Sequence, residues 1–496
     1  MVLILGRFSN RSGCFPGSGG PIEVKMMRSG GRRPFAFATG FRSVSLSVLA
    51  LVCAGSSMAW AESMSGALSK AYVFSPDLNQ QRASVRAVDE GVPRAAAGFR
   101  PTVTGTASAG VQHTRTQTPA RVTETDTFPR SAGVSVSQTL YNGGRTGNSV
   151  RQAESSVLQA RETLRLSEQN ILSAAAAAYM NVLRDTALLN LQQNNVEVLQ
   201  QQLKQTEDRF QVGEVTNTDV AQAQAALALG QANAFTARSQ LQTSLAVYRQ
   251  LIGEQPRNLE PARPVEALLP KSLEEAIATS QREHPQIRSA LHAIDVAQLN
   301  VAVQEGALRP TLSVTGSASF ARDPVSSGAA NTRSEILSAV ASLSVPIYEG
   351  GATYAAVRQA KEQLSQARLQ ADLQRETIRS TVVAAWGAFQ NTKLVIQSYQ
   401  AQVRANEIAL NGVREEAKAG TRTTLDVLNA QQLLLNARAN LITAQRDQVV
   451  NSYSLLAATG RLSATTLGLR VATYDPTIHF DQVKGKWIGV KTPDGQ

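Results

Sequence analysis

The chain has 496 residues, 43% of them hydrophobic but only 5% aromatic, which is thin for two or three ordinary globular cores. Its apolar residues are mainly Ala, Leu and Val interleaved with Gln, Asn, Ser, Thr and Arg. That mixture suits long helices buried along a narrow stripe and points to an extended architecture. The formal charge is +11, but residues 1–61 hold seven Lys/Arg and one Glu; removing them leaves +5, and nucleic-acid binding loses its main support.

The first 61 residues read as upstream residues followed by a cleaved signal peptide. Arg28, Arg32, Arg33 and Arg42 precede the apolar run VSLSVLALVCAG, and Ala59-Trp60-Ala61 gives a small-x-small cleavage pattern, so the mature chain is expected to begin at Glu62. Residues ahead of Met26 read as lying upstream of the true start. The apolar run is too short to span a bilayer comfortably. Cys14 and Cys53 are the only cysteines and both precede Glu62, which leaves the exported part without a disulfide or a cysteine metal site. Val52, where a lipoprotein signal carries a small residue, argues against a lipid anchor at Cys53. No later apolar run reaches about 18 residues, so crossing a bilayer would require β-strands.

The rest of the chain is written twice. YNGGRTGNSVRQA at Tyr141 returns as YEGGATYAAVRQA at Tyr348, 207 residues on, and the same offset relates Tyr179 to Trp386, Gly213 to Gly420, Asp219 to Asp426, Asn233 to Asn440 and Gly253 to Gly460. The first repeat covers 62–253. It predicts a helix from Ser63 to Ala97, two transmembrane strands near 101–141, a helix of about 100 Å from Gly144 to Gln211, a tight tip near 212–219 and a helix from Thr218 to Gly253 about half as long. A Pro-rich linker, 254–271, leads to the second repeat, 272–460. There the helices are Ser272 to Gly306, Gly351 to Lys418 and Thr424 to Thr459, with strands near 310–348 and a tip near 419–426; residues 461–496 form an uninformative C-terminal tail. Two short helices stacked end to end match the length of one long helix. Val182, Leu189, Val196, Leu203 and Phe210 recur at sevens, as in a coiled coil, while Asp185 and Gln192 interrupt a second seam.

Between helices the period switches to two. Leu337, Ala339, Ala341, Leu343, Val345 and Ile347 share one face against Ser338, Ser342 and Ser344; Leu312, Val314, Gly316 and Ala318 alternate with Thr311, Ser313, Thr315 and Ser317; Val103, Val134 and Val136 do the same more weakly. The runs are long enough to cross a bilayer as tilted strands, joined by the polar loops TQTPARVTETDTFP and RDPVSSGAANTR. Periodicity alone does not separate them from soluble hairpins with one wet face. The count does: four strands leave two raw edges, which hydrocarbon does not tolerate, and closed barrels need about eight or more, so two, three or four copies must pool strands. The pairs Gly143-Gly144 and Gly350-Gly351 then mark strand-to-helix junctions. In the turns VGEVTNTD and AGTRTTLD, Gly213 and Gly420 end the incoming helix, and Thr216-x-x-Asp219 and Thr423-x-x-Asp426 read as capping boxes.

The order helix, RPT strand, PIYEGG junction, VRQAKEQLSQAR helix and AGTRTTLDVLNAQ turn, echoed by VGEVTNTDVAQAQ, resembles the TolC family of outer-membrane efflux and type I secretion channels from about Ser65 to Gly460. The resemblance implies a fold that is mainly α with a small transmembrane β part: a two-repeat protomer giving a trimeric 12-stranded β-barrel continued by a 12-helix tunnel. It implies a passive exit duct in the cell outer membrane with its helical body in the periplasm. Its implied partners are a periplasmic adaptor (membrane fusion) protein, an inner-membrane ABC or RND-type pump and outer-membrane lipid. Asp219 and Arg422 match gate-bridging positions, and Asp426 matches one acidic ring. Ala417 stands where a gate tyrosine is expected and Asn429 replaces a second acidic position, which implies looser closure and weaker cation block. For the two Asp, helix capping is the plainer role, and for Arg422 a solvated turn.

No cofactor, metal or catalytic site is expected. His113, His284, His292 and His479 lack ligand spacing, and no P-loop, nucleophile elbow or zinc motif occurs. The rival class is a secreted or periplasmic coiled-coil filament, equally free of cysteine and poor in aromatics; a pump adaptor would carry one helical hairpin where this chain carries two.

Overall fold

The computed structural model describes residues 62–323, 332–493 and 495; the signal peptide, its cleavage site and both cysteines lie outside the described residues. Each repeat is built on one 67-residue helix of about 100 Å. The helix leading into the first pair of strands is expected as one piece but forms three, α1 (Met64–Phe74), α2 (Pro76–Asp89) and α3 (Gly91–Ala96). Pro76 lacks the amide that would continue α1, so Ser75 ends one helix and caps the next, accepting from Leu78 N.

Strands β1 (Thr102–Ala109), β2 (Gln112–Thr118), β3 (Arg121–Thr127) and β4 (Arg130–Asn142) follow. They lead into the long helix α4 (Arg145–Gln211) and its antiparallel partner α5 (Asn217–Ile252). The second repeat runs α6 (Leu273–Glu283), α7 (Pro285–Gly306), β5 (Thr311–Asp323), β6 (Thr332–Ser344), α8 (Ala352–Lys418) and α9 (Thr424–Ala458). Here too the expected single leading helix is split at a proline, Pro285, with His284 as the cap. A last helix, α10 (Pro476–Val483), lies in the tail.

The expected polar loop at residues 116–129 is largely a second sheet. β2 and β3 pair along seven residues as a Thr-rich ribbon with cross-strand partners Arg115–Glu124 and His113–Asp126. β-Branched threonines and opposite charges on facing positions hold a ribbon that hydrophobicity alone does not announce. Of the second loop, residues 324–331 lie outside the described residues.

The main sheet is antiparallel in the order β1-β4-β5-β6, leaving β1 and β6 as edges. Its register sorts residues into rows. Val103, Val136, Gly316 and Ala339 form one row, and Gly105, Val134, Ala318 and Leu337 the next, on an apolar face. Thr104, Ser135, Ser317 and Ser338 form a row of the opposite, polar face. A bulge at Thr139/Tyr141 puts Tyr141 opposite Leu312, which faces Leu343 at the helix end of the apolar face. At the other end the row is Arg130, Arg322 and Arg333, where Arg333 stacks on Phe320 at 4.9 Å and pairs with Glu335. From Leu312 to Arg322 is about 33 Å of strand, or about 25 Å along the normal at a tilt of about 40°, the height of an outer-membrane apolar band. Leu337 (86% exposed) and Leu343 (65%) have no protein covering them. Among the described residues no helix is long and apolar enough to cross a membrane.

The largest core lies far from the sheet, where α1, α2, α4, α5 and α9 meet around Leu68, Leu172, Tyr179 and Tyr248. The Tyr179 hydroxyl stands 2.7 Å from the carbonyl oxygens of both Glu62 and Glu260; its one proton donates to either, tying the first described residue to the linker. Asp185, which interrupts the heptads, is buried because Arg184 and the Ser244 hydroxyl on α5 both donate to it.

Candidate functional site: sheet edges, junctions and hairpin tips

Each strand-to-helix junction needs two consecutive left-handed residues. Gly143 and Gly144 have φ of +71° and +82°, Gly350 and Gly351 +64° and +84°, a backbone that side chains disfavour. Gly143 carries a second constraint, since a Cβ there would fall 2.1 Å from the Gly306 carbonyl oxygen; at the other three nothing lies within 4 Å. The first junction is thus wedged against the end of α7, while the second is held by conformation alone.

At the far end of the long helices the two tips are built alike. Gly213 and Gly420 both have φ of +78°. Glu214 N donates to Arg209 O and Thr421 N to Glu416 O, each at 3.0 Å, closing the C-terminus of the incoming helix. The outgoing helix opens on a reciprocal box: Asp219 N donates to Thr216 Oγ1 at 3.3 Å and Thr216 N to Asp219 Oδ2 at 2.9 Å. Thr423 and Asp426 repeat it at 3.2 and 3.0 Å. The Thr216 hydroxyl, at 2.7 Å, and its amide donate to the Asp219 carboxylate, and the Thr423 amide and hydroxyl, the latter at 2.8 Å, to that of Asp426; these bonds favour the ionised form and hold both carboxyls below the usual range.

Within one protomer the candidate residues are engaged locally. Arg422 donates from Nε to Glu416 Oε2 at 2.9 Å across its own turn, and this partner keeps its guanidinium charged. Asn429 lies on the exposed side of α9, about one turn beyond Asp426. Ala417 points into the hairpin's own core with Leu410, Val427 and Leu434, where a tyrosine ring would displace them. Farther up, Gln431 donates to Asn195 at 3.1 Å and joins the second hairpin to α4 of the first.

Two unpaired sheet edges, a bare apolar face of bilayer height and a doubled hairpin now stand together. A family model described as outer membrane efflux protein matches residues 67–254 and 276–461, both repeats. The chain belongs to the outer membrane efflux protein family. It is 40% identical over 441 residues to outer membrane efflux protein BepC of Brucella suis biovar 1 (strain 1330), covering 88% of this chain and 94% of that one. It is also 25% identical over 431 residues to outer membrane protein TolC of Escherichia coli (strain K12), covering 83% and 85%. Among solved structures, the Campylobacter jejuni CmeC outer membrane channel superposes with a TM-score of 0.71 at 18% identity, covering 85% of this chain and 89% of that one.

The fold class is that of the TolC-type efflux channels: a mainly helical two-repeat protomer with a small β part, like those of its neighbours, which are trimeric channels. An outer membrane efflux protein sits in the outer membrane, with its helical body in the periplasm. The family is one of channels.

Each histidine is occupied in a local contact. His113 pairs with Asp126, His292 lies 3.6 Å from Asp295, His479 pairs with Asp89 and His284 caps α7. Burial, reinforced by Arg165, pushes the His284 imidazole down to about 4.

The residues that sequence reasoning missed are in the tail of this efflux protein. Leu462, Ala464 and Val483 are fully buried, Ala464 N donates to Glu168 at 2.7 Å, and His479 Nδ1 meets the buried Asp89 carboxylate at 2.9 Å. No repeat partner exists for these residues, so the internal duplication that exposes the rest of the fold is silent about them.

Proposed function

We propose that three copies of this chain close a 12-stranded barrel and a continuous helical tunnel, forming the outer-membrane exit duct of a tripartite efflux or type I secretion system. The observation that carries the reading is the four-stranded sheet with unpaired edges β1 and β6 beneath an uncovered apolar face. In hydrocarbon each free strand group costs several kcal/mol, so β1 of one copy must pair with β6 of the next. Two copies would give eight strands above four long helices and their shorter stacked partners, whereas three match the trimeric family assembly. The polar rows of Thr and Ser then line the lumen, and the rows of Val, Ala and Leu meet lipid.

The hairpin tips form the periplasmic mouth. Asp219 and Arg422 are the candidates for polar contacts between neighbouring hairpins; the exposed Arg422–Glu416 pair gives way at little cost, whereas Asp219 would leave its capping box with Thr216 at about 0.5–2 kcal/mol. Asp426, repeated by symmetry, is the candidate acidic ring that concentrates cations at the entrance, with Asn429 leaving the next ring position uncharged. A periplasmic adaptor protein docks at these tips, and an inner-membrane ABC or RND-type pump supplies the energy. Cargo selection rests with the pump, because a duct touches its substrate only in passing.

Detergent extraction followed by mass determination and planar-bilayer recording tests the reading. The expected result is a trimer that conducts; a water-soluble species without current would make the chain a periplasmic filament instead. In the same recordings Asp426→Ala should abolish block by a trivalent cation while leaving conductance intact. Unchanged block would mean that Asp426 does not face the pore.

A further inference from the structure

The tail climbs one face of the molecule toward the sheet. Tyr474 N donates to the Tyr72 hydroxyl at 3.1 Å, and the Arg82 guanidinium stacks on both rings, 4.6 Å from Tyr72 and 5.4 Å from Tyr474. Higher on the same helical run, His479 is locked to Asp89 and Phe480 lies beneath Arg161. At the top, Arg100 donates to the Lys486 carbonyl at 2.8 Å and stacks over Trp487 at 4.6 Å. Arg100 stands two residues before Thr102, the first paired residue of β1, so this last contact lies at the base of the sheet.

The segment fastened there reads KGKWIGVK, residues 484–491. Its backbone is held and one side of the Trp487 ring lies against Arg100, but its apolar side chains are otherwise bare: Trp487 is 68% exposed, Ile488 90% and Val490 99%. Lys484, Lys486 and Lys491 accompany them, with no acidic residue between Asp481 and Asp494. Phe99 and Tyr141, close by in the chain at the same end of the sheet, are exposed as well. A large exposed indole and two bare aliphatic side chains, amid lysines and continuous with an apolar band, match the chemistry of a bilayer interface, where Trp sits at headgroup level and Lys meets lipid phosphate. A water-filled lumen would leave the same side chains hydrated at a cost in free energy.

We propose that residues 484–491 are a membrane-interface anchor, inserting Trp487, Ile488 and Val490 into the periplasm-facing leaflet around the barrel, with Lys486 and Lys491 directed to anionic phospholipid headgroups. The anchor rests on the reading that the sheet crosses a bilayer, and channel conductance in the same vesicles reports that reading separately. By fixing the tail at the rim, the segment would brace the junction of barrel and tunnel against tilt.

Trp386 and Trp487 are the only tryptophans after residue 61, so Trp386→Phe makes Trp487 the sole reporter in the exported chain. The full chain carrying this substitution is reconstituted into phosphatidylethanolamine–phosphatidylglycerol vesicles whose acyl chains are brominated either near the glycerol end or near the terminal methyl. Most of the Trp487 emission should be lost with shallow bromines and little with deep ones, while aqueous iodide quenches weakly. Strong iodide quenching with no effect of bromine would place the segment in water and overturn the anchor. Protection from both quenchers would place it against a neighbouring subunit and overturn it equally. Should Trp386→Phe fail to fold, the wild-type signal minus that of Trp487→Phe gives the same comparison.

Discussion

Acid should loosen this protein at one identifiable histidine. His284 caps α7 by accepting from Gln286 N through Nδ1 at 3.2 Å. It is buried beneath Gly460, where even an added Cβ would fall 2.5 Å from the His284 Cα. Protonation turns the accepting nitrogen into a donor facing an amide and places a charge near Arg165, so burial and like charge together lower the pKa from 6.5 to about 4. A depressed histidine binds its proton more readily in the unfolded chain. Its contribution is therefore complete above about pH 6.5, declines as the pH falls and is exhausted near pH 4. The shift of roughly 2.5 units corresponds to about 3 kcal/mol for each protomer at 1.36 kcal/mol per unit. Asp219 and Asp426, whose pKa values are lowered, keep their full stabilisation above the ordinary carboxylate value of 3.8 and lose it as the pH falls from there through their depressed pKa, so their loss begins where that of His284 is ending. Denaturant unfolding in detergent at fixed protein concentration, compared between pH 7 and pH 4.5, reads the effect. His284→Asn retains a capping acceptor without the titration and should remove the acid-side loss due to this histidine, leaving the opposite, stabilising trend of Glu168 and Asp89, whose carboxyls burial pushes up. An equally steep dependence in His284→Asn would refute the assignment.

Two further substitutions separate conformation from contact. Gly144→Ala meets no atom and carries only the cost of a left-handed residue, about 1–2 kcal/mol, whereas Gly143→Ala adds a clash with the Gly306 carbonyl; heat-resistant oligomer on gels should persist in the first and largely disappear in the second. Tyr179→Phe removes the hydroxyl that ties Glu62 to Glu260 and should lower stability by about 1–2 kcal/mol, with faster proteolysis near the linker and little change in conductance.

Hydrophobic period and glycine placement carry most of what can be read without coordinates. The α4 and α8 helices, the two tips with their Thr-x-x-Asp boxes and the alternating runs of β1, β4, β5 and β6 are local patterns, visible because each depends on neighbours a few residues away. The splits at Pro76 and Pro285 were legible in principle, since proline lacks the needed amide, but length matching favours unbroken helices. The β2–β3 ribbon was hidden because its residues are polar on both faces and only their pairing makes them strands. Asp219 and Asp426 are readable as caps from spacing alone; a role at a mouth requires a ring that a single chain does not contain.

The duplicated sequence by itself determined two repeats, four alternating runs and two long hairpins, because period and spacing are properties of the chain. Only the tertiary structure decided that the tail runs upward along α2 to the base of the sheet, with Trp487 beside Arg100. It also aligned Arg130, Arg322 and Arg333 along one rim and wedged Gly143 against Gly306. Those arrangements come from residues far apart in sequence that meet only when the elements pack, and packing distance leaves no periodic trace in the order of amino acids.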